Sequence, residues 1–185
     1  LLLLDSITRY ARASREVGLA VGEPPARRGY PPSTFALLPR LLERAGQSAR
    51  GSMTALYTVL IEGGDMEEPI ADEVRGILDG HIVLDRAVAE RGRYPAVNVP
   101  ASLSRVMSRI VTPEHDRAAK KVRALISVRE AKRDLVALGA YAKGADLILD
   151  EALAKEERIE RFLAQSPDLA ETESATLEAL ARAVG

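Results

Sequence analysis

Leu1-Leu2-Leu3-Leu4-Asp5-Ser6-Ile7-Thr8-Arg9-Tyr10 is the stretch on which the reading of this chain turns. A short, unbroken apolar run such as Leu1 to Leu4 suits a strand covered on both faces of a parallel sheet. Asp5 ends that strand, and the carboxyl ends of strands are where open α/β sheets hold their ligands. Two readings stand side by side. Asp5 is either an acid that caps the following helix, or a carboxylate that helps hold Mg²⁺ beside phosphates.

The sequence opens directly on this strand, with neither Met nor a polar lead-in, so the 185 residues read as the C-terminal part of a longer protein. No Gly-x-x-x-x-Gly-Lys-Ser/Thr phosphate loop occurs in them. If Asp5 serves magnesium, that loop lies upstream.

Outward from Asp5, Ser6 to Ala20 reads as a helix with Ile7, Tyr10, Ala11, Val17 and Ala20 as its apolar stripe. Gly22 to Pro32 carries too many prolines and glycines to continue it and reads as an extended, turn-rich loop. Ser33 is the expected N-cap of a helix through Phe35, Leu38 and Leu42. Met53 to Ile61 reads as one continuous strand, Glu62 to Pro69 as an acidic loop, Ile70 to Leu78 as a short helix and Gly80 to Leu84 as a third strand. Asp85 to Arg91 is helical, and Tyr94 to Pro100 is extended, leading to Ser102-Leu103-Ser104-Arg105. After Pro113 the pattern is helical throughout: Glu114 to Leu138, then a loop holding Tyr141 and Lys143, then Leu147 to Leu163 and Glu171 to Val184. The expected division is an α/β domain ending near Thr112 and an all-α domain over 113–185.

Composition narrows the classes. With 46% hydrophobic residues the chain can bury one core, or one core and a small helical annex. Lys and Arg total 26 against 27 Asp and Glu, so bulk charge points to neither nucleic acid nor an anionic membrane. Cysteine is absent, which removes disulfides, zinc-finger spacings and thiol nucleophiles and fits a reducing cytoplasm. His81 and His115 are too few and too far apart for a histidine-based metal site. No apolar run approaches the ~20 residues of a membrane span.

Several residues carry open alternatives. Arg27-Arg28 beside Gly29 belong to a solvated basic loop or to a loop lining a site. The acids of Glu62 to Glu68 lack the ligand spacing of a calcium loop and read as solvated charges. Tyr94 is a core aromatic or a ring offered to a stacked base. Arg105 is a structurally paired arginine or one that neutralises phosphate charge held by a neighbouring subunit. The helical part caps the domain or presents a partner-binding face.

Asp5-Ser6-Ile7-Thr8-Arg9, and more specifically Gly22-Glu23-Pro24-Pro25 through Gly29-Tyr30-Pro31-Pro32-Ser33, resemble the ATPases of bacterial type III secretion. That family serves flagellar export and injectisomes and is related to rotary ATP synthase subunits. The likeness continues through Pro69 to Leu84, Tyr94-Pro95-Ala96-Val97, Ser102 to Met107 and Gly139 to Asp146. The resemblance implies an α/β fold, the C-terminal half of a RecA-like P-loop ATPase domain with a mostly parallel sheet, followed by a helical domain. It implies ATP and Mg²⁺ at the interfaces of a homohexamer. Asp5 is then the magnesium-associated catalytic acid, Tyr94 the ring that packs on adenine, and Arg105 the arginine finger.

The implied partners are a central coiled-coil stalk, a peripheral stator or regulator subunit and substrate–chaperone complexes, with no nucleic acid. The implied location is cytoplasmic, at the inner-membrane base of the secretion apparatus. The implied work is ATP-driven chaperone release, unfolding and export. Alternatives are a rotary synthase-type subunit, an RNA-translocase-like ring, or a non-catalytic interaction module, since the 185 residues without a phosphate loop are expected to be inactive alone.

Overall fold

The computed structural model describes all 185 residues, which pack as two compact units, Leu1–Asp79 and Gly80–Gly185. The first unit starts with strand β1 (Leu2–Leu4), followed by helix α1 (Ile7–Ala20). Ser6 caps α1 by accepting a hydrogen bond from the Arg9 amide at 3.2 Å. The buried face of α1 is Ile7, Thr8, Ala11 and Gly18, whereas Tyr10 and Val17 of the expected stripe are exposed. Gly18 explains the shift, because a Cβ there would lie 2.8 Å from Pro31 Cγ. The helix meets the Pro-rich loop through a missing side chain.

That loop contains one 3₁₀ turn, Arg27–Gly29, and leads into α2 (Pro32–Leu42). Ser33 lies inside the first turn of α2 and does not cap it. Pro31 takes the cap position and Pro32, whose fixed φ suits a first helical residue, starts the helix. The Glu23 carboxylate reaches back to accept from the Ser33 amide at 3.3 Å, doing the work of a cap from the loop.

The expected strand over 53–61 is divided. Met53 ends an antiparallel hairpin of β2 (Gly46–Ser48) and β3 (Gly51–Met53). Ala55–Tyr57 is β4, parallel to β1 with Leu2 opposite Ala55 and Leu4 opposite Tyr57. Beyond β4 the backbone pairs with the start of α1: Leu60 N donates to Thr8 Oγ1 at 2.8 Å. Leu4 and Tyr57 pack against a core of Ile7, Ala11, Tyr30, Leu38, Leu42, Ile70 and Val74, to which α3 (Pro69–Ile77) contributes. Leu3 and Leu56, one residue along, point the other way and are 67% and 54% exposed. The leucine run is therefore covered on one face only: Leu4 packs on the core while Leu3 and Leu56 on the opposite face are exposed.

In the second unit β5 (Gly80–Leu84) runs antiparallel to β6 (Val97–Ser104), with the short helix α4 (Arg86–Glu90) between them. Only the β1–β4 pair is parallel; the other two pairs are antiparallel. After α5 (Met107–Ile110) come α6 (Pro113–Ala131), α7 (Arg133–Ala137), α8 (Leu147–Leu163) and α9 (Glu173–Val184). The expected helix over 114–138 breaks at Lys132, whose ψ of 13° leaves the helical range. Thr112, Asp146 and Thr172 cap α6, α8 and α9 with their side-chain oxygens. Val122, Leu125 and Ile126 of α6 pack against Ala152, Ile159, Leu180 and Ala183, and Val99 of β6 joins this core. No helix is long and apolar enough to cross a membrane.

Candidate functional site

Asp5 is exposed at the C-terminal end of β1, directly before α1. Its Oδ1 accepts a hydrogen bond from Thr58 Oγ1 at 2.6 Å, and Thr58 N donates to Leu4 O at 3.1 Å. Thr58 thus fixes both the strand end and the carboxylate. Ser6, Ile7 and Thr8 behind it are buried, so the Asp-Ser-Ile-Thr-Arg stretch divides into a structural middle and exposed ends at Asp5 and Arg9. Nowhere in the chain do three His, Cys, Asp or Glu side chains gather as a metal site. A lone, oriented carboxylate still fits Mg²⁺ in its usual phosphate-bound form, which takes one or two carboxylates and fills its other positions with water and substrate oxygens.

The acidic and basic loops of the first unit face each other. They surround a cleft of about 400 Å³ lined by Arg12, Arg15, Arg28, Tyr30, Glu62 and Asp65. Arg12 meets Glu62 and Arg28 meets Asp65, each at 2.8 Å, while Arg27 reaches Asp72 and Glu73 at 3.4 and 3.7 Å. Arg28 holds φ at +46°, an unusual conformation for a residue with a side chain. Its hydrogen bond, with that of the Glu67 amide, keeps the Asp65 carboxyl below the ordinary carboxylate range. Of the acids expected as solvated charges, Asp65 pairs with Arg28 of the Pro-rich loop, while Glu62 pairs with Arg12 of α1 and its side chain stays largely exposed.

Tyr94 and Arg105 both belong to the second unit. Tyr94 is 59% exposed, which excludes a core aromatic. Its backbone is held from the end of α8, where Gln165 N donates to Tyr94 O at 2.8 Å. Arg93 beside it meets Glu160 at 3.4 Å. Arg105 is exposed where β6 ends and α5 begins; Ser104 pairs with Gly80, and Ser104 Oγ accepts from Met107 N at 3.2 Å.

A polar chain runs between the Tyr94 and Arg105 ends of β6, and the sequence did not announce it. Asp85 accepts from Ala87 N and from Asn98 Nδ2, both at 2.8 Å, and the Asn98 bond is the larger cause holding its carboxyl below the ordinary range. Asn98 Oδ1 accepts from Ala101 N at 3.0 Å, and Ser102 Oγ joins Val83 N to Asn98 O. His81 places Nε2 3.1 Å from Ala101 O. Arg123 of α6 donates to the carbonyls of Val99, Pro100 and Ser102. The available signal for Arg123 was a cation set directly beside the α6 core positions Val122 and Leu125. Thr58 offered only a hydroxyl in an apolar run.

Known proteins complete the picture. Residues 1–104 match the family model described as ATP synthase alpha/beta family, nucleotide-binding domain, and 111–182 that of the T3SS EscN ATPase C-terminal domain. The flagellum-specific ATP synthase of Bacillus subtilis is 55% identical over 91% of this chain and 38% of its own length. The type 3 secretion system ATPase of Xanthomonas euvesicatoria is 53% identical over 97% of this chain and 41% of its own. The assembled ATPase EscN of enteropathogenic E. coli, solved in complex with its central stalk EscO, superposes with a TM-score of 0.90. It is 47% identical, over the whole of this chain and 44% of that one. This chain therefore spans about two fifths of the length of such relatives. It belongs to the ATP synthase alpha/beta nucleotide-binding family, in the branch of the type III secretion and flagellar export ATPases.

Proposed function

We propose that the full-length protein hydrolyses ATP in a homohexameric ring and uses the energy to release chaperones, unfold proteins and pass them into a type III secretion or flagellar export apparatus. The observation that carries this reading is Asp5: an exposed carboxylate at the C-terminal end of a parallel strand, held by Thr58, within the segment matching a nucleotide-binding family.

Asp5 is the residue that would hold Mg²⁺, which when bound supplies positive charge against the phosphates. Thr58 occupies one Asp5 oxygen and so sets the direction of the other. Tyr94 presents its ring to adenine. Arg105 reaches the γ-phosphate bound by a neighbouring copy. The phosphate loop and the base that polarises water lie outside these 185 residues, so the piece alone is inactive. The division between α/β and helical parts near Thr112 separates the residues of chemistry from those facing partners. A stalk protein, as EscO is for EscN, meets the helical part, together with a peripheral regulator and substrate–chaperone complexes. The ring works in the cytoplasm at the base of the apparatus and binds no nucleic acid.

Asp5→Asn in the full-length protein tests the reading. Losing a few kcal/mol of charge stabilisation lowers kcat by about 100-fold or more, while equilibrium nucleotide binding changes much less. A kcat near that of the unaltered protein would leave Asp5 a strand-end cap.

A further inference from the structure

The antiparallel pairing of β5 and β6 is interrupted. Leu103 is opposite His81 and Asn98 is opposite Val83, so residues 99–102 of β6 face the single residue Ile82. A bulge of this size leaves backbone groups without ladder partners. Side chains meet the demand. Asn98 takes the Ala101 amide, His81 contacts the Ala101 carbonyl, and Ser102 bridges back to Asn98 O. The carbonyls of Val99, Pro100 and Ser102 all go to one atom, Arg123 Nη1, at 2.8, 3.2 and 2.7 Å.

The two N–H groups of Nη1 are shared among three carbonyls, so residues 99, 100 and 102 are drawn to one point on α6. The bonds are charge-assisted and therefore stronger than neutral ones. The bulge, in turn, decides where β6 rejoins β5. It rejoins at Leu103 and Ser104, and Arg105 follows immediately. We propose that Arg123 is a positioning residue for Arg105, fixing from α6 the path of β6 and so the point at which Arg105 leaves the strand. The proposal rests on the reading of Arg105 as the arginine that meets a neighbour's phosphate. Arg123 itself touches no substrate. It acts through the backbone of residues 99–102.

A double-mutant cycle on the full-length enzyme, with ring assembly checked by sedimentation, tests this. Arg123→Met removes the donor while keeping bulk. Its kcat falls about 10- to 100-fold, as misplacement of a catalytic group by an ångström or so does, with KM for ATP within about threefold. Arg123→Lys, which keeps a cationic donor, recovers much of the loss. In an Arg105→Ala background, Arg123→Met costs less than about twofold more, because the group it positions is already gone. An undiminished second loss would make Arg123 a purely structural arginine and overturn the proposal, as would an unchanged kcat in Arg123→Met. If Arg105→Ala alone leaves kcat unchanged, the reading of Arg105 fails first, and the positioning role with it. Should Arg123→Met not assemble, Ser102→Ala, which breaks the bridge inside the same bulge, replaces it in the cycle. Normal kcat in Ser102→Ala then overturns the proposal.

Discussion

Asp85 shows how a single carboxylate ties a helix end to a strand. It caps α4 through Ala87 N and holds Asn98, the first residue of the β6 bulge network. Its carboxyl lies below the ordinary range, mainly through the Asn98 amide and then through Ala87 N. The sign follows from that depression. The unfolded chain, with its Asp pKa near about 3.9, binds the proton more readily than the folded one. Asp85 therefore contributes stability fully above that value, and the contribution is lost as pH falls through the lower folded value. Asp85→Ala is expected to cost about 1 kcal/mol at neutral pH, the usual worth of such a cap. The deficit should narrow in acid, when urea unfolding is compared near neutrality and below pH about 3.5. An equal deficit at both would mean the side chain acts by packing and not by charge.

Among the elements, β5 and β6 are the pair on which the proposed role of Arg105 depends, and their approach is set by Gly80. A Cβ at this position would stand 2.5 Å from Leu103 O and 3.1 Å from Ser104 Cα, backbone atoms with no rotamer by which to yield. Gly80→Ala should cost about 1–3 kcal/mol as an overpacked contact. It should also lower kcat, since the displaced residues are those immediately before Arg105. Unchanged unfolding and unchanged turnover together would show that the strands part without consequence. This close approach also marks where sequence reading stops. Helices α1, α3, α6, α8 and α9 were legible as helices because apolar spacing and Pro/Gly breaks act within a few residues of one another, although the buried face of α1 and the end of α6 were not. So was Asp5 at the end of its leucine run. The Thr58 bond to Asp5 and the grip of Arg123 on β6 join residues far apart in the chain, and no local pattern encodes them. The leucine run misled in one respect: a hydrophobic strand reports what it can bury, not how many faces are covered in this chain.

At the scale of the whole molecule, identical chains in the proposed ring must each carry every role, and this sequence offers Asp5 and Arg105 together. The proposed reading makes them act on different nucleotides: Asp5 on the one its own chain binds, Arg105 on a neighbour's. A cationic fork brought to a γ-phosphate stabilises charge that develops in the transition state, and such fingers are worth about 10³ to 10⁵ in rate. Arg105→Ala should therefore lower kcat steeply, leave folding intact and alter ATP affinity comparatively little. Action across the interface makes a stronger demand. Subunits carrying Asp5→Asn but keeping Arg105, mixed with subunits carrying Arg105→Ala but keeping Asp5, should regain turnover where a sound Asp5 meets a sound Arg105. Turnover should rise with the mixing ratio to a maximum near equal amounts and vanish when subunit exchange is blocked by cross-linking. Mixed rings with demonstrated exchange and no recovered activity would place Arg105 in the service of its own chain. The segment from β6 to α5 would then be a structural corner, and the catalytic arginine would have to be sought elsewhere in the protein.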